Sequence, residues 1–170
     1  MKQNKRHTKK PFWVVRAGLQ SAAHDLFMDR GRIVLMSQEM GDLRALPKDR
    51  QAFYEAYRSK HDSDGETAIS GIGGKFFRFI HEMRVGDHVL YPCRLDKIVY
   101  FGVVTGPYVY DASQADFPHF RKVHWIASFP KKVLSLYSKR ELNTARTFFC
   151  FKKNAEEIYR RIAAIKKGRK

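Results

Sequence analysis

The chain has 170 residues, of which 44% are hydrophobic and 14% are aromatic, enough apolar material for one folded domain with its own core. Its formal net charge at pH 7 is +16, from 33 Lys and Arg against 17 Asp and Glu. This composition argues against a disordered chain, and it indicates a polyanionic partner, with nucleic acid ahead of an anionic membrane.

The positive charge is concentrated at the two ends. Residues 1–10 contain five Lys or Arg and no acid, and residues 152–170 contain eight Lys or Arg and two acids. We therefore predict a basic flexible arm over residues 1–11, a folded domain over 12–151, and a basic C-terminal helix and tail over 152–170. The alternative is that the basic ends only keep the protein soluble.

Hydrophobic patterning predicts an α+β order of elements, because strands and helices do not alternate as in βαβ units. The predicted strands are residues 12–17, 32–36, 85–92, 98–106, 108–110, 121–127 and 147–151. The predicted helices are residues 21–30, 48–60, 75–84 and 139–145, followed by a final helix after Asn154. Gly71 to Gly74 are expected to be a flexible spot. Ser138 and Glu141 have the spacing of a capping box.

The segment 85–106 predicts a strand, a turn and a second strand around which the chain is organised. Residues 98–104 are apolar on both faces, which is typical of a strand covered on both sides. Gly102 in the middle of this strand predicts a bulge, a barrel corner or a close backbone approach.

Motifs for catalysis and metal binding are not visible. The glycines at 71–74 lack the Lys-Ser/Thr of a phosphate-binding loop, and no acid-x-Lys pair of a metal-dependent nuclease occurs in the chain. Cys93 and Cys150 lie far apart, and the histidines show no ligand spacing. We therefore expect a binding protein rather than an enzyme, with no cofactor and no metal, in the reducing cytoplasm and not in a membrane.

Five short segments, in this order, resemble a known family. They are residues 13–18 (WVVRAG), 33–36 with 41–43 (IVLM, GDL), 85–90 (VGDHVL), 100–106 (YFGVVTG) and 121–125 (RKVHW). Residues 12–150 resemble the PUA-like domains of the EVE and YTH type. They are most similar to the version at the N-terminus of Mrr-like, modification-dependent restriction endonucleases.

The resemblance implies a small bent PUA-like β-barrel flanked by helices, with a pocket at the barrel end that accepts a modified base turned out of a duplex. By position, the base-pocket residues are expected to be Arg16, Ala17, Gly18, Met36, Ser37, Asp42, Tyr91 and Trp125. Phosphate contacts are expected at Arg121, Lys122, Arg160 and Lys167.

Two features differ from that family. Relatives commonly carry Gly-Trp after the second strand, where this chain has Met36-Ser37, so an aromatic wall is expected from Tyr91, Tyr108 or Trp125. Trp13 and Trp125 are each expected either to contact a base or to be part of the core. The chain stops after one basic helix, so we expect any nuclease to be a separate subunit.

Three functional hypotheses follow. The first is a reader of a modified DNA base that acts by base flipping in a restriction or defence system, with DNA favoured over RNA. The second is an RNA-binding PUA-like protein. The third is a small nuclease or base-modifying subunit whose catalytic residues the sequence does not reveal.

Overall fold

A computed structural model of the chain describes residues 12–168, so the predicted basic arm lies outside the described residues. The strands of the described chain are β1 (Phe12–Val15), β2 (Arg32–Leu35), β3 (His88–Pro92), β4 (Ile98–Val104), β5 (Val109–Tyr110), β6 (His119–Pro130) and β7 (Phe148–Phe151). The α-helices are α1 (His24–Met28), α2 (Arg50–Arg58), α3 (Glu66–Phe77), α4 (Leu136–Leu142) and α5 (Ala155–Gly168).

The strands form one mixed sheet with the order β2-β6-β4-β3-β1-β7, and β5 also pairs with β6. β1 and β3 are parallel, and the other pairs are antiparallel. The sheet curls into a half-barrel with helices packed on it, which confirms the predicted α+β class. The predicted final helix is α5, which packs through a stripe of Ile158, Ile162 and Ile165.

Both faces of the sheet are covered, because strands such as β1 carry apolar side chains in both directions. Trp13 and Val15 point into one hydrophobic cluster, whereas Phe12 and Val14 point into another. The first cluster includes residues of α1, α2 and α3, and the second includes residues of α4 and α5. β4 has the same arrangement, with Val99 and Phe101 in the second cluster and Val104 in the first, so the two-sided burial predicted for residues 98–104 is confirmed.

Trp13 is a core residue, which decides between the two alternatives that its sequence position left open. Its side chain is 4% exposed and stacks on Phe148 with ring centroids 5.0 Å apart. The indole Nε1 donates to Asp87 Oδ2 over 3.0 Å. This buried donor is satisfied within the protein, so Trp13 offers no face to a base.

Gly102 lies at a bulge, as predicted. The register between β4 and β6 shifts here, because Phe101 pairs with Ala127 and Gly102 pairs with Trp125, which leaves Ile126 as the extra residue. A Cβ on Gly102 would lie 2.8 Å from the carbonyl oxygen of His124. Only glycine lets β4 and β6 approach this closely.

The flexible spot predicted at residues 71–74 is wrong, because these glycines lie inside α3. A Cβ on Gly73 would lie 2.8 Å from Cδ1 of Tyr54 and 2.9 Å from the carbonyl oxygen of Phe53. Gly73 therefore allows α3 to lie directly against α2. A π-helical turn, Arg78–Glu82, follows α3, so the helix predicted over 75–84 is the end of a longer helical segment.

The capping box predicted from Ser138 and Glu141 is also wrong. Ser138 lies within α4, and the N-cap is Ser135, whose side chain accepts from the Ser138 N–H. Glu141 instead accepts hydrogen bonds from the backbone N–H groups of residues 152–154, which precede α5. Glu157 of α5 accepts from the backbone N–H of Ser135 over 2.8 Å. Each of the two helices thus supplies a carboxylate to the start of the other.

The pair Gly71→Ala and Gly73→Ala tests the contact between α2 and α3. A Cβ on Gly71 meets nothing within 4 Å, so we expect Gly71→Ala to raise the free energy of unfolding by up to about 1 kcal/mol. We expect Gly73→Ala to lower it by about 1–3 kcal/mol, because α3 must move away from α2. Urea unfolding measures both changes. A Gly73→Ala protein as stable as the Gly71→Ala protein would contradict the close crossing.

Candidate functional site

Arg16 follows the end of β1 and holds the loop between α4 and β7. Its guanidinium donates to the carbonyl oxygens of Leu142 (2.6 Å), Thr144 (2.7 Å) and Arg146 (3.0 Å). Its backbone N–H donates to the carbonyl oxygen of Thr147 over 2.9 Å and extends the β1–β7 ladder by one residue. These bonds fix the position of residues 142–147, and burial lowers the pKa of the Arg16 guanidinium.

Two cavities meet at Arg16, Gly18 and Thr147, at the end of β1. The larger, which we call the mouth cavity, has a volume of about 270 Å³ and is also lined by Ala17 and Tyr91. The smaller, which we call the inner cavity, has a volume of about 70 Å³. It lies between the end of β1 and the end of β2. Five of the residues predicted for the base pocket line these cavities, namely Arg16, Ala17, Gly18, Met36 and Tyr91.

The other three predicted pocket residues line neither cavity. Trp125 donates from Nε1 to the carbonyl oxygen of Phe27 over 2.6 Å, so its indole is fixed under α1. Asp42 accepts from the backbone N–H of Arg44 and forms an ion pair with its guanidinium at 2.6 Å. Ser37 contributes its backbone carbonyl to a buried histidine. The structure therefore does not bring these three residues to either cavity.

Of the three aromatic residues expected as a wall, Tyr91 lines the mouth cavity but is almost fully buried, and Tyr108 and Trp125 line neither cavity. Tyr91 is 1% exposed, and its hydroxyl is hydrogen-bonded to Nδ1 of His24 at 3.0 Å. Tyr108 is 7% exposed, and Trp125 is held under α1. The aromatic ring that lines the inner cavity is Phe117, which precedes β6 and which the sequence analysis missed.

A buried relay supports the segment after β2. His119 is fully buried, and its Nε2 donates to the carbonyl oxygen of Ser37 over 2.9 Å. Because a carbonyl only accepts, Nδ1 is the acceptor for the Tyr108 hydroxyl at 2.8 Å, and that hydroxyl accepts from the Leu43 N–H. Ser37 has a φ of +127°, a strained conformation for a residue with a side chain. The relay holds this strained residue beside Met36.

A groove lined by cations runs beside the mouth, between α3 and the edge strand β7. This basic groove has a volume of about 640 Å³ and shares Thr147 with both cavities and Lys75 with the inner cavity. Its charged lining residues are Lys75, Arg78, Arg146 and Lys152, and no Asp or Glu among the described residues lines it. Arg146 and Lys152 are exposed, whereas Lys75 and Arg78 are half-buried.

The two half-buried cations of the basic groove have no acidic partner at ion-pair distance within residues 12–168. Burial lowers the pKa of Lys75, and burial followed by the positive charge of Arg50 lowers the pKa of Arg78. The Arg78 guanidinium stays charged at neutral pH, because arginine is not deprotonated in proteins, so its charge is available to an anion in the groove. The sequence analysis missed all four cations, although Lys75 and Arg78 have the three-residue spacing of one helix face.

The predicted phosphate contact at Arg121 is wrong, because this side chain is buried. It is 4% exposed, and its guanidinium donates to the carbonyl oxygens of Phe79 (2.8 Å), Ile80 (3.0 Å) and Gly106 (3.3 Å). Burial lowers its pKa to about 10, so it stays charged at neutral pH. Arg121 therefore holds the π-helical turn against β6.

The other three predicted phosphate contacts are exposed but lie away from the mouth. Lys122 is on β6, and Arg160 and Lys167 are on the outer side of α5. α5 packs on the opposite face of the sheet from α3, which carries Lys75 and is followed directly by Arg78. The structure thus does not bring these three residues together with the mouth or the basic groove.

Cys93 lies near a histidine that its sequence context did not suggest. Its Sγ is 3.7 Å from Nδ1 of His24, but the thiol belongs to a residue that is only 2% exposed. Among residues 12–168, no group of three or more His, Cys, Asp or Glu is placed to hold a metal ion. No helix in the same range is long and apolar enough to cross a membrane.

The buried ring of His119 predicts that the stability of the protein depends on pH. Burial lowers its pKa below the ordinary value of 6.5, so the unfolded chain binds a proton more readily than the folded chain. The neutral His119 ring therefore contributes its full stabilisation above the pKa that this residue has in the unfolded chain. That stabilisation is lost as the pH falls towards the lower pKa of the folded chain. We expect wild type to lose more stability than His119→Gln between about pH 8 and pH 5, by at most about 1.4 kcal/mol per pH unit.

Urea unfolding across that pH range measures the difference. The control is His124→Gln, at an exposed position of the same strand, and it should keep the wild-type pH dependence. Parallel pH profiles for wild type and His119→Gln would contradict a buried neutral ring.

Comparison with known proteins identifies a family. No curated protein and no solved structure matches the chain. A family model described as a domain of unknown function, DUF8426, matches residues 13–152. The matched segment contains every residue that lines the mouth cavity, the inner cavity and the basic groove. The chain belongs to the DUF8426 family, for which no function is known.

Proposed function

We propose that this protein is a cytoplasmic nucleic-acid-binding protein rather than an enzyme, and that it holds the phosphate backbone in the basic groove while one base enters the mouth. The observation that carries this proposal is the groove itself. Within residues 12–168, four basic side chains and no acid line it, and it shares Lys75 and Thr147 with the cavities at the end of β1.

The charge arrangement favours a phosphate ligand. Partial removal of a cation from water costs free energy, and neither Lys75 nor Arg78 has a carboxylate of residues 12–168 at ion-pair distance. The charges of Glu39 and Glu82 oppose the effect of burial on the pKa values of Lys75 and Arg78, respectively. A phosphate in the groove would offset the cost of burial and release counterions from the nucleic acid. The exposed Arg146 and Lys152 extend the cationic lining along the edge of β7, so a strand could follow it.

The mouth favours a base that leaves its stack. The mouth cavity, at about 270 Å³, is close to the lower limit of about 300 Å³ for small-ligand sites. Met36 lines the inner cavity beside Gly18, which lines both cavities, and its Sδ lies 3.1 Å from the position of a Cβ on Gly18. Met36 is flexible and 45% exposed, so its movement would join the two cavities and open a path to Phe117.

The free-energy cost of turning out a base is similar in size to the gain from stacking it on an aromatic ring. Turning a base out of a duplex costs a few kcal/mol, whereas stacking on an aromatic ring returns about 1–3 kcal/mol. Phe117 is the ring that lines the inner cavity. A mismatched or damaged base is easier to extrude, which gives one source of preference.

The sequence resemblance extends this proposal to a fold type and to a kind of base. We propose that the half-barrel is a PUA-like fold of the EVE type and that the protein reads a modified DNA base in a restriction or defence system. A separate subunit would supply any nuclease activity. DNA is favoured over RNA because the resemblance is greatest to modules of modification-dependent restriction enzymes.

Neutralising the exposed part of the groove should weaken binding in a salt-dependent way. We expect Arg146→Gln/Lys152→Gln to bind all duplex sequences more weakly. The slope of log K against log salt should fall by about 1.8, because each phosphate contact contributes about 0.9. Fluorescence anisotropy on a duplex of about 20 base pairs between about 50 and 200 mM NaCl measures it.

The matched control is Arg30→Gln/Lys60→Gln, which removes the same charge at exposed positions that line none of these cavities. It should change the slope much less. If Arg146→Gln/Lys152→Gln and Arg30→Gln/Lys60→Gln had the same slope of log K against log salt, the basic groove would not be the phosphate-binding surface.

Base recognition is tested separately on duplexes that differ at one central base, which is unmodified, 5-methylcytosine, 5-hydroxymethylcytosine or N6-methyladenine. We expect one modified duplex to bind more tightly, and Phe117→Leu to reduce that preference by about 1–3 kcal/mol through loss of stacking. Equal affinity for all duplexes would overturn modified-base recognition and leave the groove untouched. Tighter binding to single-stranded RNA of the same sequence would assign the protein to RNA.

A further inference from the structure

We infer that the mouth has a second phosphate site, formed by Arg94, Lys97, Lys131 and Lys139, which takes a backbone phosphate of the strand whose base enters the mouth. We call these four residues the rim cluster. The inference rests on the proposed function, and it adds a ligand class: an internal nucleotide with a phosphate on each side, rather than a free nucleotide.

Three chain segments bring the rim cluster together. The turn between β3 and β4 is closed by a hydrogen bond from Lys97 Nζ to the carbonyl oxygen of Arg94 (2.9 Å). The backbone N–H of Lys131 donates to the carbonyl oxygen of Lys97 over 2.8 Å, which joins this turn to the segment after β6. Lys139 of α4 donates from Nζ to the carbonyl oxygen of Lys132 over 2.9 Å. Arg94 itself lines the mouth cavity.

The ammonium groups of the rim cluster are bonded to neutral acceptors. Lys97 and Lys139 donate to backbone carbonyls, and Lys131 donates to Oδ1 of Asn143. No carboxylate within residues 12–168 lies at ion-pair distance from any of the four.

The acid in the β3–β4 turn is committed to other groups. Asp96 accepts from the Tyr100 hydroxyl at 2.5 Å and from the Ile98 N–H at 2.8 Å. Its oxygens hold the turn and the start of β4, so they do not neutralise the cluster by a direct contact.

The cations of the cluster act on one another and on the mouth. Burial lowers the pKa of Lys131, and the charges of Arg16, Lys97, Arg94 and Lys139 lower it further in that order. The Arg94 charge also lowers the pKa of Arg16, after burial. Like charges held this close repel one another, and an anion at the rim would remove that cost.

The covalent structure of a strand explains why two sites are needed. An internal nucleotide is attached to a phosphate on its 5′ side and to another on its 3′ side. The basic groove borders the mouth cavity at Ala145 and Thr147, and the rim cluster borders it at Arg94. With a base in the mouth, one flanking phosphate would lie in the groove and the other at the rim cluster.

The test uses Arg94→Gln/Lys139→Gln in the full chain, beside the groove variant Arg146→Gln/Lys152→Gln and the control Arg30→Gln/Lys60→Gln. The probe is a fluorescein-labelled oligothymidylate of about 12 nucleotides, titrated by anisotropy between about 50 and 200 mM NaCl. We expect the rim variant to lower the salt slope by about 1.4, at about 0.7 per phosphate on a single strand.

The outcomes separate this inference from the proposed function. A lower slope for the groove variant with an unchanged slope for the rim variant overturns the rim site and leaves the proposed function intact. Unchanged slopes for both overturn both. A lower slope for the rim variant alone supports the rim site and overturns the groove.

A second arm distinguishes a strand phosphate from free phosphate. Sodium phosphate replaces chloride at constant ionic strength, and we expect it to displace the oligothymidylate no better than chloride does. Preferential displacement from wild type that is lost in Arg94→Gln/Lys139→Gln would assign the rim to free phosphate and overturn the strand site. If thermal unfolding shows that the double variant is destabilised, Arg94→Gln alone should lower the slope by about 0.7.

Discussion

Arg16 fixes the loop that borders the mouth cavity, the inner cavity and the basic groove. Three carbonyl groups of residues 142–146 converge on its guanidinium. A guanidinium is suited to this position, because it carries five N–H donors in a fixed plane and stays charged when half-buried. The same loop ends at Thr147, which lines all three spaces. The candidate site thus depends on one arginine that the sequence marked as functional and the structure shows to be structural as well.

The sheet and the helices on its two faces determine where the cations of the basic groove lie. Because the sheet is apolar on both sides, α3 covers one face and α5 the other. The carboxylates of Glu141 and Glu157 tie α4 to α5 at their starts, and the first of them also fixes the backbone of Lys152. The cations of the groove are therefore held by elements that belong to both layers.

The sequence predicted what depends on local pattern. The β3–β4 hairpin and the bulge at Gly102 follow from alternation, from turn residues and from one glycine in a buried strand. Gly73 was misjudged because its role depends on α2, a separate helix. Glu141 was misjudged because a Ser-x-x-Glu spacing cannot show that its carboxylate reaches the next helix.

The site was predicted in part for similar reasons. Arg16 and Gly18 follow β1 and Met36 follows β2, two strands that are not adjacent in the sheet but whose ends meet at the inner cavity. The family resemblance indicated these three residues. Arg121 was misplaced, although its two-residue spacing from the buried Val123 puts it on the inward face of β6. The groove could not be predicted, since its cations come from α3 and from segments about seventy residues further along.

The position of β7 at the end of the sheet has one more consequence. In the described part of the chain β7 pairs only with β1, and the bond from Arg16 to Thr147 means that Phe148 and Cys150 direct their backbone groups outward. Such an open strand edge can template intermolecular pairing with a second molecule. Arg146 and Lys152 bracket this short edge with positive charge, so two molecules that approach edge to edge repel each other.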